Sequence, residues 1–244
     1  MRQDLSRSAE EIRISEAYYG EAREVERSSK IFMRSFIPEG KGRVLDIGCG
    51  TGVNAEAIAA KGHSVSGIDI SETAVARFRA CGFSGTVGDI IHGLPYEDGQ
   101  FDIAFASEVI EHVSDTAKFL SEARRVLRPG GTLLLSTPNS ASWIMRVYAL
   151  LGRTLSEVQH PGHVRFFSKQ SLESAVEASG FNVVRVASRN MYLAVPFDFP
   201  WLAVLGFARE FRFKTGKYFW HISRPAQRAS RFWAETLIVE ARKI

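Results

Sequence analysis

The sequence predicts an α/β fold, a doubly wound parallel sheet with helices on both faces. Three observations predict it. Short apolar runs alternate with amphipathic helical patterns through the middle of the chain. The first run, Val44 to Ile47, opens into a loop with glycine at 48, 50 and 52. The residues able to carry chemistry fall at the carboxyl ends of the predicted strands, where such sheets bind ligands.

Strands are expected at 43–47, 64–69, 84–88, 101–106, 131–136 and 182–188, with a closing strand from Glu235 to Arg242. Helices are expected at 52–61, 71–81, 114–127, Trp143 to Gly152 and 169–179. Ser114 or Asp115 caps the third of these, and Gly130-Gly131 stops it. Residues 9–36 read as one or two amphipathic helices, with Ile12, Ile14, Ile31, Phe32 and Phe36 facing inward. The whole of 1–244 is expected to be one domain. Its parts are a helical cap at 1–38, a core at 39–139, an insertion at 140–168 and a second insertion at 190–233.

Composition sets the outer limits. A hydrophobic fraction of 45% and a charged fraction of 24% suit a globular protein of 244 residues. Cys49 and Cys81 form no disulfide framework and have no metal spacing, so both are expected as reduced thiols in a cytoplasmic protein. No run of about 18 apolar residues is present, and the N-terminus lacks the apolar core of a signal peptide. The net charge of +4 is unevenly placed: Pro200 to Ala234 holds seven basic residues and one acid, so the rest of the chain is slightly acidic.

The glycine loop excludes two common ligands. A dinucleotide fingerprint needs a third glycine or alanine where Val53 stands. A phosphate-binding P-loop needs a lysine followed by Ser or Thr, and none follows Gly52. Asp46 would repel a pyrophosphate and attract a cation, which suits an aminoacyl ligand with an ammonium group.

Five segments in order resemble one family. Val44 to Gly52 (VLDIGCGTG) is similar to the first motif of class I S-adenosylmethionine-dependent methyltransferases. Ser66 to Ser71 (SGIDIS), Gly88 to Ile90 (GDI), Phe101 to Val113 (FDIAFASEVIEHV) and Arg125 to Asn139 (RVLRPGGTLLLSTPN) resemble its later motifs. The resemblance covers about 40–190 and returns in the last ten residues. It implies a Rossmann-like seven-stranded sheet with the last strand antiparallel and helical cap insertions. It also implies S-adenosylmethionine as cofactor and methyl transfer as the activity.

The resemblance assigns the cofactor contacts. Asp46 with Gly48, Cys49, Gly50 and Gly52 would hold the methionine part. Asp69, 23 positions after Asp46, would accept the ribose hydroxyls. Asp89 would meet the adenine amino group, with Ile70 and Ile90 on the ring faces, and Ser107 and Glu108 would line the pocket. Tyr18 or Tyr19 would close over the methionine. Each acid has a plainer reading beside this one: Asp46 as a cap or loop ion pair, Asp69 as the cap of the helix near Ser71, Asp89 as a turn residue.

On the acceptor side, an alcohol or phenol must lose its proton, which calls for a base titrating near neutrality. His112 follows the fourth strand beside Glu111, and His160 and His163 lie in the insertion that should roof the site. We expect His112 or His163 as the base, with Glu111 orienting it. The plainer reading makes His112 a helix cap and His163 a core hydrogen-bonder. The loop EVIEH also resembles that of the O-methyltransferases of ubiquinone biosynthesis, where a divalent ion has been suggested. Glu108, Glu111 and His112 would be its ligands, but so short a spacing is not diagnostic and no metal is assigned.

The leading function is therefore methyl transfer to a small-molecule hydroxyl. The alternatives are a nucleic-acid or N-directed methyltransferase and a non-catalytic S-adenosylmethionine-binding module. Ser107-Glu-Val-Ile110 stands where amino-methylating nucleic-acid enzymes carry Asn or Asp followed by Pro-Pro and an aromatic, so no nucleic acid is expected as partner. The intact glycines and Asp69 argue against a decayed module. The segment 200–233 mixes cations with Phe, Tyr and Trp, and reads as a cap on the pocket, a dimer face, a site for an anionic acceptor or an RNA backbone, or a peripheral contact with an anionic membrane.

Overall fold

The computed structural model describes residues 9, 12–17, 19, 28–160, 162–196, 219–226 and 234–244. The strands are β1 (Arg43–Ile47), β2 (Ser64–Asp69), β3 (Ser84–Val87), β4 (Phe101–Ser107), β5 (Leu127–Pro138), β6 (Phe181–Pro196), β7 (Phe219–Ala226) and β8 (Ala234–Lys243). The helices are α1 (Ser28–Arg34), α2 (Val53–Ala59), α3 (Glu72–Ala80), α4 (Thr116–Val126), α5 (Trp143–Leu150), α6 (Leu155–Val158) and α7 (Lys169–Ala178). Short 3₁₀ turns lie at Ile90–His92 and Ile110–His112, and residues 12–17 are helical.

The sheet order is β3-β2-β1-β4-β5-β8-β6-β7. β1 to β5 are mutually parallel, and β8 runs antiparallel between β5 and β6. This is the expected seven-stranded sheet with its last strand reversed. β7, inside the second insertion, was not expected; it adds an eighth strand on the outer edge of β6. The strand order reverses between β1 and β4, which opens a crevice at their carboxyl ends.

Why the central strands read as continuous apolar runs is visible in their two faces. Along β4, Ile103 and Phe105 enter one core while Ala104 and Ala106 enter the other. Along β5, Leu134 faces the first and Leu133 and Leu135 the second. Strands covered on both sides need apolar residues at every position. The first core packs against α1, α2 and α3 through Met33, Ile58 and Phe78; the second packs against α4 and α7 through Phe119, Leu120, Leu172 and Val176. Gly67 in β2 makes room for this packing, since a Cβ there would stand 2.5 Å from Phe78 Cζ and 2.7 Å from Cys49 Cβ.

Several expectations shift. Ile12 and Ile31 are exposed rather than inward, and Met33 and Ile37 are buried instead. Met33 and Ile37 are four residues apart and share one face, which packs into the core with Ile58 and Phe78, although the helix itself ends at Arg34. α4 ends at Val126, before the glycines, because Pro129 forces Arg128 out of the helical region and Leu127 pairs with Phe101. Asp115, not Ser114, is its N-cap and accepts from Lys118 N at 2.9 Å. The short helix α6 was not expected, and β6 runs well past 188.

One polar knot ties the 94–98 loop to α4. Arg125 donates to Glu122, to Asp98 and to the carbonyls of Leu94 and Tyr96, while Leu94 N donates to Glu122 Oε2 at 2.8 Å. The Arg125 guanidinium holds the Glu122 carboxyl below its ordinary value, helped by the Leu94 N–H and opposed by burial. A depressed folded-state pKa gives stability that is present above the unfolded value, near 4.3. That stability is lost as pH falls through the folded value. Denaturant midpoints of the wild type should therefore drop as pH is lowered below about 4.5. Glu122→Gln should be less stable at neutral pH and show a shallower drop; parallel acid limbs in the two proteins would contradict the assignment.

Candidate functional site

The site is built at the carboxyl ends of β1, β2 and β4. Gly48, Gly50 and Gly52 all take positive φ, at 68°, 53° and 96°. A side chain at Gly48 would also collide with Val109, whose Cγ2 would lie 2.5 Å from the added Cβ. The loop is tied back to β2: Gly48 N and Cys49 N both donate to Ile68 O, and Gly50 N donates to Asp69 Oδ2 at 3.0 Å. The other Asp69 oxygen accepts from Ser71 N at 3.0 Å, and Ser71 caps α3 through Ala74 N. Asp69 is thus a buried organiser of the loop as well as a ribose candidate. Asp46, at the end of β1, and Cys49, against Gly67, are buried too.

Asp89 caps the turn Ile90–His92, accepting from Ile91 N, and pairs with His92 at 3.3 Å. Ile90 sits in the apolar core beneath that turn, and Ile70 is half-buried. Of the residues placed over the site from the N-terminus, Tyr19 is half-buried, and Tyr18 lies outside the described residues. Glu16 reaches Thr73 N at the start of α3, which brings residues 12–17 next to Asp69 and Ser71. The Thr73 and Ser71 hydrogen bonds lower the Glu16 pKa.

Beyond β4, Ser107 Oγ lies 3.3 Å from Ser136 Oγ, and Glu108 N donates to Ser136 O. Glu108 has φ +58°, alone among the described non-glycine residues in being positive. Such a conformation costs about 1–3 kcal/mol and concentrates at functional sites. Glu111 is buried, and its carbonyl accepts from both Val164 N and Arg165 N. That pair of bonds pins the insertion onto the turn that carries His112. The insertion's other tether is Asn139, buried at the end of β5. Its amide donates to Ala234 O, its oxygen accepts from Ala141 N, and the neighbouring Ser140 N donates to Phe167 O.

The consequence is a cluster of three imidazoles. Ring centroids lie 4.8 Å apart for His112 and His163, 5.7 Å for His112 and His160, and 5.6 Å for His160 and His163. His112 Nδ1 is 2.9 Å from Gly162 O, and His163 Nδ1 is 3.0 Å from Gln159 Oε1. Burial pushes the His112 pKa down against the opposing Gly162 hydrogen bond. His112 and His163, singled out in the sequence as alternative bases, are therefore neighbours. The group with metal-ligand spacing among the described residues is His112, His160 and His163, not Glu108, Glu111 and His112.

Sequence reasoning missed three residues here. Arg34 is buried beside the loop and donates to Val53 O at 3.1 Å. Asn54 Oδ1 and Thr137 Oγ1 are buried with no hydrogen-bond partner among the described residues. Buried oxygens of this kind ask for a ligand or water. No periodicity marks them, because each is a single polar residue within an apolar pattern.

A nucleotide-type crevice, a left-handed glycine loop and carboxylates at two adjoining strand ends suit an aminoacyl nucleoside with a cationic group. The fit to S-adenosylmethionine rests on those groups. Residues 19–186 match the family model described as a methyltransferase domain, and the chain belongs to that family. S-adenosylmethionine is its cofactor.

A probable S-adenosylmethionine-dependent methyltransferase of Mycolicibacterium smegmatis is 40% identical over 144 residues, covering 57% of this chain and 52% of the relative. A ubiquinone biosynthesis O-methyltransferase of Aromatoleum aromaticum is 40% identical over 116 residues, covering 45% and 49%. The chain thus spans about half the length of these curated relatives. The crystal structure of an S-adenosylmethionine-dependent methyltransferase of Thermotoga maritima, titled a possible histamine N-methyltransferase, superposes with a TM-score of 0.62. At 23% identity, covering 88% of this chain and 90% of that one, it is evidence of the fold alone.

Gly48→Ala should weaken S-adenosylmethionine binding, because both the φ and the Val109 contact oppose it. Strain of about 1–3 kcal/mol corresponds to roughly 5–150-fold in affinity. Calorimetry should show Val109→Ala recovering part of that loss; an unchanged affinity in Gly48→Ala would remove the loop from the site.

Proposed function

We propose that the protein transfers the methyl group of S-adenosylmethionine to a hydroxyl of a small molecule. The observation that carries this reading is the histidine cluster, held over the carboxyl end of β4 by the Glu111 carbonyl. The partial matches to ubiquinone biosynthesis O-methyltransferases support it.

In this reading Asp46 meets the ammonium, with Gly48, Cys49, Gly50 and Gly52 along the methionine chain. Asp69 accepts the ribose hydroxyls on the lone pairs left by Gly50 N and Ser71 N. Asp89 takes the adenine amino group, with Ile70 and Ile90 beside the ring, and Ser107 and Glu108 line the pocket. The acceptor oxygen attacks the methyl carbon in line with the sulfur. The carbon–sulfur bond breaks, its electron pair stays on sulfur, and S-adenosylhomocysteine leaves. The hydroxyl proton passes to an imidazole of His112 or His163, with Glu111 orienting it. A carbonyl can only accept, so Gly162 O keeps the proton of His112 on Nδ1 and leaves the Nε2 lone pair for the hydroxyl. Alignment of an already activated donor supplies most of the rate.

No helix among the described residues is long and apolar enough to cross a membrane. We place the protein in the cytoplasm, with the basic aromatic segment 200–233 as a peripheral contact for anionic lipid. Most of that segment lies outside the described residues; β7 is the part that does not.

A panel of phenols and lipid-linked hydroxyls, assayed with S-adenosylmethionine for S-adenosylhomocysteine release, tests the reading. His112→Ala and His163→Ala should keep cofactor affinity, and at least one should lower turnover by about 10²–10⁴-fold. Full activity in both variants would sink the base assignment, and turnover only with amines would sink the hydroxyl.

A further inference from the structure

We infer that His112, His160 and His163 form a three-histidine site for a borderline divalent transition-metal ion of the zinc, cobalt or nickel type. The inference goes beyond the methyl-transfer reading and stands on the geometry of the three rings. Each histidine offers a nitrogen within 4.8 Å of the other two. Zinc–nitrogen bonds of about 2.0–2.1 Å in tetrahedral geometry put ligand nitrogens about 3.4 Å apart. An inward movement of roughly 1.5 Å closes that gap.

The hydrogen bonds around the rings already prepare two of the ligands. Gly162 O takes the Nδ1 proton of His112, and Gln159 Oε1 takes that of His163. Gln159 keeps its oxygen toward His163 because its Nε2 bonds Ser140 Oγ and Met145 S on the other side. A carbonyl on one ring nitrogen fixes the tautomer that presents the other to a metal, the usual outer support of metal-binding histidines. Imidazole nitrogen suits zinc, cobalt and nickel and is a poor match for magnesium or calcium.

His160 is the ligand that has to turn. Its Nδ1 accepts from Gly162 N at 3.1 Å, so the proton sits on Nε2 until that bond is given up. The ring is exposed, which lets it turn inward without disturbing the core. Gly162 serves both neighbours, its N–H facing His160 and its carbonyl facing His112. A Cβ there would lie 3.2 Å from Nδ1 of each, so glycine keeps the two rings this close.

Three protein ligands leave a fourth coordination position open, the arrangement of catalytic rather than structural sites. The lone pairs an ion takes at His112 and His163 are those a general base uses. Metal loading and base catalysis therefore exclude one another, and the metal-free protein is the one that uses an imidazole as base.

The test is cobalt(II) binding to chelator-stripped full-length protein, followed by its visible ligand-field bands and by calorimetry. One equivalent per chain with the intense bands of a low-coordinate nitrogen site is expected. His160→Ala, at an exposed position, should keep its circular dichroism and its S-adenosylmethionine affinity and lose the cobalt bands. Gln159→Ala should weaken cobalt by about 10–100-fold. Absence of stoichiometric cobalt binding in the wild type would overturn the inference, as would wild-type affinity in folded His160→Ala. Neither result depends on finding a methyl acceptor, so the site can fail while the proposed transfer stands, and the reverse.

Discussion

The carboxylate of Asp69, buried at the end of β2, accepts one N–H from the glycine loop and one from the start of α3. Everything on the cofactor side depends on that pair of bonds. A buried carboxylate without hydrogen bonds would be too costly to keep charged. With both N–H groups in place it fixes the spacing between the ends of β1 and β2. The two Ile68 carbonyl contacts hold the same loop from below. Glycine is required here because the path that reaches Asp69 runs through left-handed backbone three times within five residues.

The acceptor side is organised differently. The proposed acceptor side rests on the insertion at 140–168, which carries little core of its own: α5 and α6 contribute no buried residue. The insertion is placed by backbone bonds at its two ends instead. The Glu111 carbonyl receives Val164 and Arg165, and the Asn139–Ser140 corner receives Phe167 and the start of β8. The histidines sit between those anchors. Their mutual distances therefore follow from a few directional bonds, and a small change in the tether would move His160 and His163 relative to His112.

This contrast explains what could be read beforehand. The strands and the glycine loop are legible because burial on both faces and positive φ each leave a local trace: Val44, Leu45 and Ile47 are apolar around the single acid Asp46, and Gly48, Gly50 and Gly52 stand where only glycine is comfortable. The second role of Asp69, holding the loop, was not legible, because it depends on Gly50 arriving beside it from another strand. The inward face of the N-terminal helix was misread for a similar reason. Ile31 is exposed while Met33 and Ile37, four residues apart, are buried, so which face turns inward is set by what the helix packs against rather than by the apolar pattern alone. His112, His160 and His163 could each be noticed singly. That they meet is tertiary information, since 48 residues separate the first pair and the contact is made by Gly162.

Charge placement gives the two halves a common logic. The donor sulfur is positive before transfer and neutral after it, so a negative field at the sulfur would hold the reactant more tightly than the transition state. The acids at the strand ends are best placed elsewhere. In the proposed arrangement Asp46 meets the ammonium, which keeps its charge throughout, and Asp69 meets the ribose, which carries none. The transfer axis is left to neutral imidazole, whose charge appears only as the hydroxyl proton departs. In that proposed arrangement the separation of fixed acids from the reacting sulfur, more than the number of contacts, would let one crevice bind a cation firmly and still favour its discharge.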